Sequence, residues 1–67
     1  MIVLYTTKTC PKCKIVKTKL EDKKINYNLI DDPFILEEKG YDLLPVLEVD
    51  GVVLKSMIDI NDWINKQ

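Results

Sequence analysis

Asp50-Gly51 stands between two short β-rich runs, Pro45-Val46-Leu47-Glu48-Val49 and Val52-Val53-Leu54-Lys55. An Asp-Gly pair in that setting is the strongest local signal for a tight hairpin, so the two runs are expected to be antiparallel neighbours. With only 67 residues, against about 100 to 150 for an ordinary domain, the hairpin has to belong to a single core, and one domain over residues 1–67 is expected. Apolar residues at 46% and charged residues at 31% suit a folded globular chain rather than a disordered one.

The remaining segments supply what a hairpin needs to pack against. Ile2 to Thr6 is mostly β-branched or aromatic, which suits a central strand buried on both faces. Thr9 then offers a cap and Pro11 a first helical residue, for a helix running to about Lys24 with Cys13, Val16 and Leu20 as its apolar stripe. Ile25 to Ile30 alternates like a strand covered on one face, and strand, helix, strand within about thirty residues reads as a parallel crossover. Asp32-Pro33 repeats the cap-and-proline logic for a short helix that Gly40 stops. Asp59 can cap a last helix, on which Ile60, Trp63 and Ile64 face the sheet, and Tyr27, Phe34 and Trp63 read as packing residues. The order β-α-β-α-β-β-α makes an α/β fold, a mixed four-stranded sheet with three helices over its faces.

Ten lysines and no arginine oppose eleven acidic residues, for a formal charge of -1. No net positive charge exists to hold a polyanion, so nucleic acid is not an expected partner. No apolar run approaches the eighteen residues or so of a membrane span, and no basic segment with a long apolar stretch precedes Ile2. A cytoplasmic monomer without a membrane partner is the expectation.

Cys10 and Cys13 are the only thiols, and histidine is absent. A link across two intervening residues closes a very small loop and does little as a structural staple. One chain offers two soft ligands where a structural zinc site takes four, although two chains could share a zinc ion or an iron-sulfur cluster. A cysteine-bridged dimeric metal module is therefore the alternative function, and a redox-inactive interaction domain a third. The leading reading is reversible oxidation, because cysteines three apart at a helix start lie on one side of the backbone. At that helix end the dipole favours the Cys10 thiolate by about 0.3 to 2 kcal/mol. Since about 1.4 kcal/mol is one pKa unit, a thiol of pKa about 8.5 moves toward about 7. Lys8, Lys12 and Lys14 act in the same direction. Cys10 is then the attacking sulfur and Cys13, one turn deeper, the resolving one.

Tyr5-Thr6-Thr7-Lys8-Thr9-Cys10-Pro11-Lys12-Cys13 after a first strand, with Leu44-Pro45-Val46 opening a later one, resembles the glutaredoxin branch of the thioredoxin superfamily over nearly the whole chain. The resemblance implies a thioredoxin-like fold and a thiol-disulfide oxidoreductase with no bound cofactor. It also implies that Pro45 is cis beside Cys10, with the Leu44 backbone free to pair with a bound thiol peptide. Lys8, Pro11 and Lys12, which border the cysteines, join Leu44 and Pro45 as candidate substrate contacts. Gly40 to Val46 is similar to the small glutaredoxin-like electron donors of ribonucleotide reductase. The implied partners are a disulfide-containing protein, ribonucleotide reductase among them, and glutathione or thioredoxin reductase as external reductant. Lys12 and Lys55-Ser56 stand where glutathione-using members carry tyrosine and a Gly-Gly pair. Tyr5 is either a core aromatic or part of the cysteine site, and Asp59 either a cap or a contact for a peptide's amino end.

Overall fold

The computed structural model describes residues 1–67 as β1 (Ile2–Tyr5), α1 (Pro11–Asp22), β2 (Asn28–Ile30), α2 (Pro33–Lys39), β3 (Val46–Val49), β4 (Val52–Leu54) and α3 (Met57–Asn65). The strands form one sheet in the order β2-β1-β3-β4. β1 runs parallel to β2, with Leu4 opposite Leu29, and antiparallel to β3, with Leu4 opposite Leu47. β3 and β4 are the hairpin, and at its tip Asp50 and Gly51 take φ of 48° and 89°. Both angles are positive, as a type I′ turn requires, and only the glycine adopts such a φ freely.

Alternation along the strands divides the core in two. Leu4 and Leu47 point to the side covered by α1 and α3, where they meet Val16, Leu20, Ile60 and Ile64. Val3, Tyr5 and Val46 point to the other side, where α2 contributes Leu36. No helix is long and apolar enough to cross a membrane.

Several local expectations shift. α1 stops at Asp22 rather than near Lys24, and β2 starts at Asn28 rather than Ile25. Lys24 adopts a φ of 57°, its N–H donates to the Glu21 carbonyl and the Ile25 N–H to the Leu20 carbonyl. That pair of bonds is a Schellman closure, which uses up Ile25 before the chain becomes extended. Gly40, at φ 70°, closes α2 in the same way, with the Tyr41 N–H donating to Leu36. The cap of α3 is Ser56, whose Oγ accepts the Asp59 N–H at 3.1 Å, so Asp59 lies in the first turn instead of capping it. Tyr27 and Trp63 pack against the core, but Phe34 is 79% exposed: directly after Pro33 it points away from the sheet, and Ile35 and Leu36 take the inward positions.

Candidate active site

β1 delivers the chain to the cysteines. Its pairing with β2 extends one step past the strand, through the Thr6 N–H to the Ile30 carbonyl at 2.9 Å, and Thr7 to Thr9 turn the backbone over the sheet end. Cys10, not Thr9, is the N-cap of α1, with φ -99° and ψ 107°. Pro11 occupies the first helical turn and disfavours helical geometry in the residue before it, so the cap falls on Cys10. Cys10 Sγ does what a capping oxygen does elsewhere and accepts the Cys13 N–H at 3.2 Å.

Cys10 and Cys13 are joined as a disulfide, with Cα atoms 5.3 Å apart. The two sulfurs are differently placed. Cys13 is 2% exposed in the stripe with Val16 and Leu20, while Cys10 at the helix tip is partly open to solvent. Among the first three helical residues Pro11 has no N–H and that of Cys13 is taken, which leaves the Lys12 N–H as the unpaired dipole end beside Cys10.

The second wall comes from the loop before β3. The Leu44-Pro45 bond is cis, Pro45 is buried, and the Leu44 carbonyl oxygen lies 3.7 Å from Cys10 Sγ. Leu43, next to it, is 83% exposed. Tyr41 anchors this loop by packing edge-on to Tyr5 with ring centres 5.0 Å apart. Tyr5 itself is core, 3% exposed, and its hydroxyl donates to Glu48 Oε2 at 3.2 Å. The Lys39 ammonium lies 3.9 Å from that carboxylate and 5.4 Å from the Tyr5 ring centre, and Lys55 sits 5.6 Å over the Tyr41 ring. Burial, and after it the Glu48 charge, pushes the Tyr41 phenol above its ordinary pKa. Sequence reasoning did not find this cluster, although a tyrosine hydroxyl at the end of a buried strand calls for a partner.

The lysines divide. Lys8 lines a groove of about 290 Å³ together with both cysteines, Lys14 and Lys17, whereas Lys12 and Pro11 are exposed and lie outside it. Leu29 of β2 and Asp31, just after that strand, also line the groove. Lys17 escaped the sequence reading although its spacing of four from Cys13 was the available signal. No group of three or more His, Cys, Asp or Glu side chains is arranged to hold a metal ion.

This geometry has relatives. Residues 2–54 match the family model of the glutaredoxins. The chain belongs to the glutaredoxin family. An uncharacterized glutaredoxin-like 8.6 kDa protein of the rubredoxin operon of Clostridium pasteurianum is 36% identical, over 81% of each chain. Among solved structures, the glutaredoxin-like NrdH-redoxin of Escherichia coli superposes with a TM-score of 0.75 at 24% identity, covering 97% of this chain and 91% of its own. A point variant of the thioredoxin-like protein BC3987 gives 0.76 at 24% identity, covering 98% and 96%. These likenesses establish the thioredoxin-like fold, and family membership with the joined cysteine pair makes the chain a thiol-disulfide oxidoreductase.

Proposed function

We propose that this glutaredoxin is a small dithiol electron carrier, one domain over residues 1–67, that reduces disulfides in proteins or mixed disulfides of glutathione. The observation that carries the reading is the unequal exposure of two sulfurs one helical turn apart. In the reduced protein the Cys10 thiolate attacks one sulfur of the substrate disulfide, and the other leaves as a thiolate that takes a proton. Cys13 then loses its proton and attacks Cys10 Sγ in the mixed disulfide, expelling the second substrate thiol. Two electrons have passed to the substrate, and the Cys10–Cys13 disulfide remains. The Cys13 N–H and the free Lys12 N–H stabilise negative charge on Cys10, and the Leu44 carbonyl opposes it, so the balance favours the thiolate only while these N–H groups stay aligned. The Leu44 backbone pairs with the substrate backbone, Pro45 walls the site, and Lys8, Pro11 and Lys12 form its rim.

The reductant is glutathione or thioredoxin reductase. Lys12 and Lys55-Ser56, at positions where glutathione users carry tyrosine and Gly-Gly, favour the second, as does the fold likeness to an NrdH-redoxin described by its thioredoxin-like activity profile. A ribonucleotide reductase disulfide is the protein substrate this reading implies. The test is disulfide turnover driven either by glutathione with its reductase or by thioredoxin reductase, in the wild type, Cys10→Ser and Cys13→Ser. Turnover by the wild type, none by Cys10→Ser and a trapped mixed disulfide in Cys13→Ser are expected. Protein that purifies with stoichiometric shared metal and reduces no disulfide is instead the dimeric binding module.

A further inference from the structure

The first twenty residues carry five lysines and no acidic residue, so a chain of net charge -1 concentrates its positive charge on the element bearing the cysteines. Lys14 follows Cys10 by four residues and Lys17 follows Cys13 by four, which puts both ammonium groups on the side of α1 that the cysteines occupy. The groove there is lined by both cysteines, Lys8, Lys14 and Lys17, together with Leu29 and Asp31. Only two ion pairs form in the molecule, Met1 with Asp50 and Lys39 with Glu48, so all three groove lysines lack a carboxylate partner. Asp31 is the one opposing charge on the lining. Leu29, 44% exposed although it pairs with the buried Leu4, adds an apolar spot to the lining.

We propose that this groove is a docking site for an acidic segment of the disulfide partner, with Lys8, Lys14 and Lys17 facing carboxylates beside the partner's cysteine and Leu29 taking an apolar residue among them. The inference rests on the electron-carrier reading, to which it adds the kind of substrate chosen. Lysines at a rim of this kind raise association rate and select partners by charge more than they add affinity. A nucleic acid fits less well, since the groove has no arginine and no aromatic ring on which a base could stack.

The test uses the oxidised wild-type protein, whose joined cysteines cannot attack, and a cysteine-free heptapeptide with four carboxylates around a leucine. Its counterpart carries the matching amides. The acidic peptide is expected to shift the backbone amide resonances of Thr7, Lys14, Lys17 and Leu29, and the amide peptide to leave them in place. Lys17→Gln should weaken the acidic peptide about two- to five-fold and Lys17→Glu further, and 0.5 M salt, which shortens the screening length to about half its physiological value, should nearly abolish binding. Equal shifts by both peptides, shifts mapping to another face, or a short DNA strand that outcompetes the acidic peptide would overturn the docking site. Turnover of matched acidic and neutral disulfide peptides separates the two readings. Reduction of both at one rate removes the docking site and keeps the carrier, whereas acidic-peptide binding without any reduction removes the carrier and keeps the groove.

Discussion

On the side of the sheet covered by α1 and α3, six aliphatic side chains meet and none is more than 1% exposed, while on the α2 side four residues meet and one is a tyrosine whose hydroxyl depends on Glu48. The first side is closed by two helices of 12 and 9 residues, the second by one of 7. Cys13 is buried on α1 along with Val16 and Leu20 of the first side, and the Leu44 carbonyl reaches Cys10 from a loop anchored on the second. The cysteine pair is thus fixed by the better-packed half of the molecule, and the loop wall beside Cys10 hangs from the half with more polar and aromatic contacts. A redox site needs both. The sulfurs must stay one turn apart, and the opposing backbone must accept different partners.

The largest test of this contrast is a matched pair of truncations. Ile60→Ala opens a hole where α3 meets α1 and the sheet, and the usual loss for such a change is about 2 to 5 kcal/mol. A chain of 67 residues has a total of only about 3 to 10 kcal/mol, so this variant should lose a large fraction of its stability. Leu36→Ala, 6% exposed under a short helix at the margin of the smaller cluster, should fall at or below the low end of that range. Urea unfolding of both variants measures the difference, and equal losses would mean that the two sides hold the fold alike.

A smaller test removes one polar contact from each side. Tyr5→Phe deletes the hydroxyl that donates to Glu48 and should cost about 0.5 to 1.5 kcal/mol, with a matching rise in the rate at which the 41–45 loop amides exchange. On the other side the comparable contact is the part-buried Lys19 Nζ bond to Asn61 at 2.8 Å, which ties α1 to α3. Lys19→Met should stay within about 0.5 kcal/mol of wild type, because apolar packing already holds these helices together.

The same contrast governs what could be read from the chain. Asp50-Gly51, Pro11, Asp32-Pro33 and Gly40 act through backbone geometry that each residue imposes locally, so the hairpin, the starts of α1 and α2 and the end of α2 were legible. Cys10 and Ser56 were passed over as caps in favour of Thr9 and Asp59, since neighbouring residues compete for a cap and only the position of Pro11, or the Ser-x-x-Asp spacing, decides. The end of α1 was misplaced because a lysine, not a glycine, takes the left-handed position. The cysteine pair followed from three-residue spacing. The grouping of Tyr5, Tyr41, Lys39, Glu48 and Lys55 joins residues from four places in the chain, and it depends on strand register, which no local signal carries.

The smallest effect is a titration that tests the α2 side alone. The folded state holds the Tyr41 phenol above its ordinary pKa, through burial and then through Glu48, so folding favours the protonated ring. That contribution is complete below the unfolded value of about 10 and is lost as pH rises through the folded value. The Tyr27 phenol, on the opposite side, is also held above its ordinary pKa, by burial and then by Glu21. The informative quantity is therefore the difference between Tyr41→Phe and wild type in unfolding free energy from pH 9 to 11. The variant should lose stability less steeply, and the protection of the 41–45 loop amides should fall with pH in wild type while changing less in the variant. If Tyr27→Phe flattened the loop's response and Tyr41→Phe did not, the loop would be anchored through the α1 and α3 side, and the division of labour between the two faces would have to be redrawn.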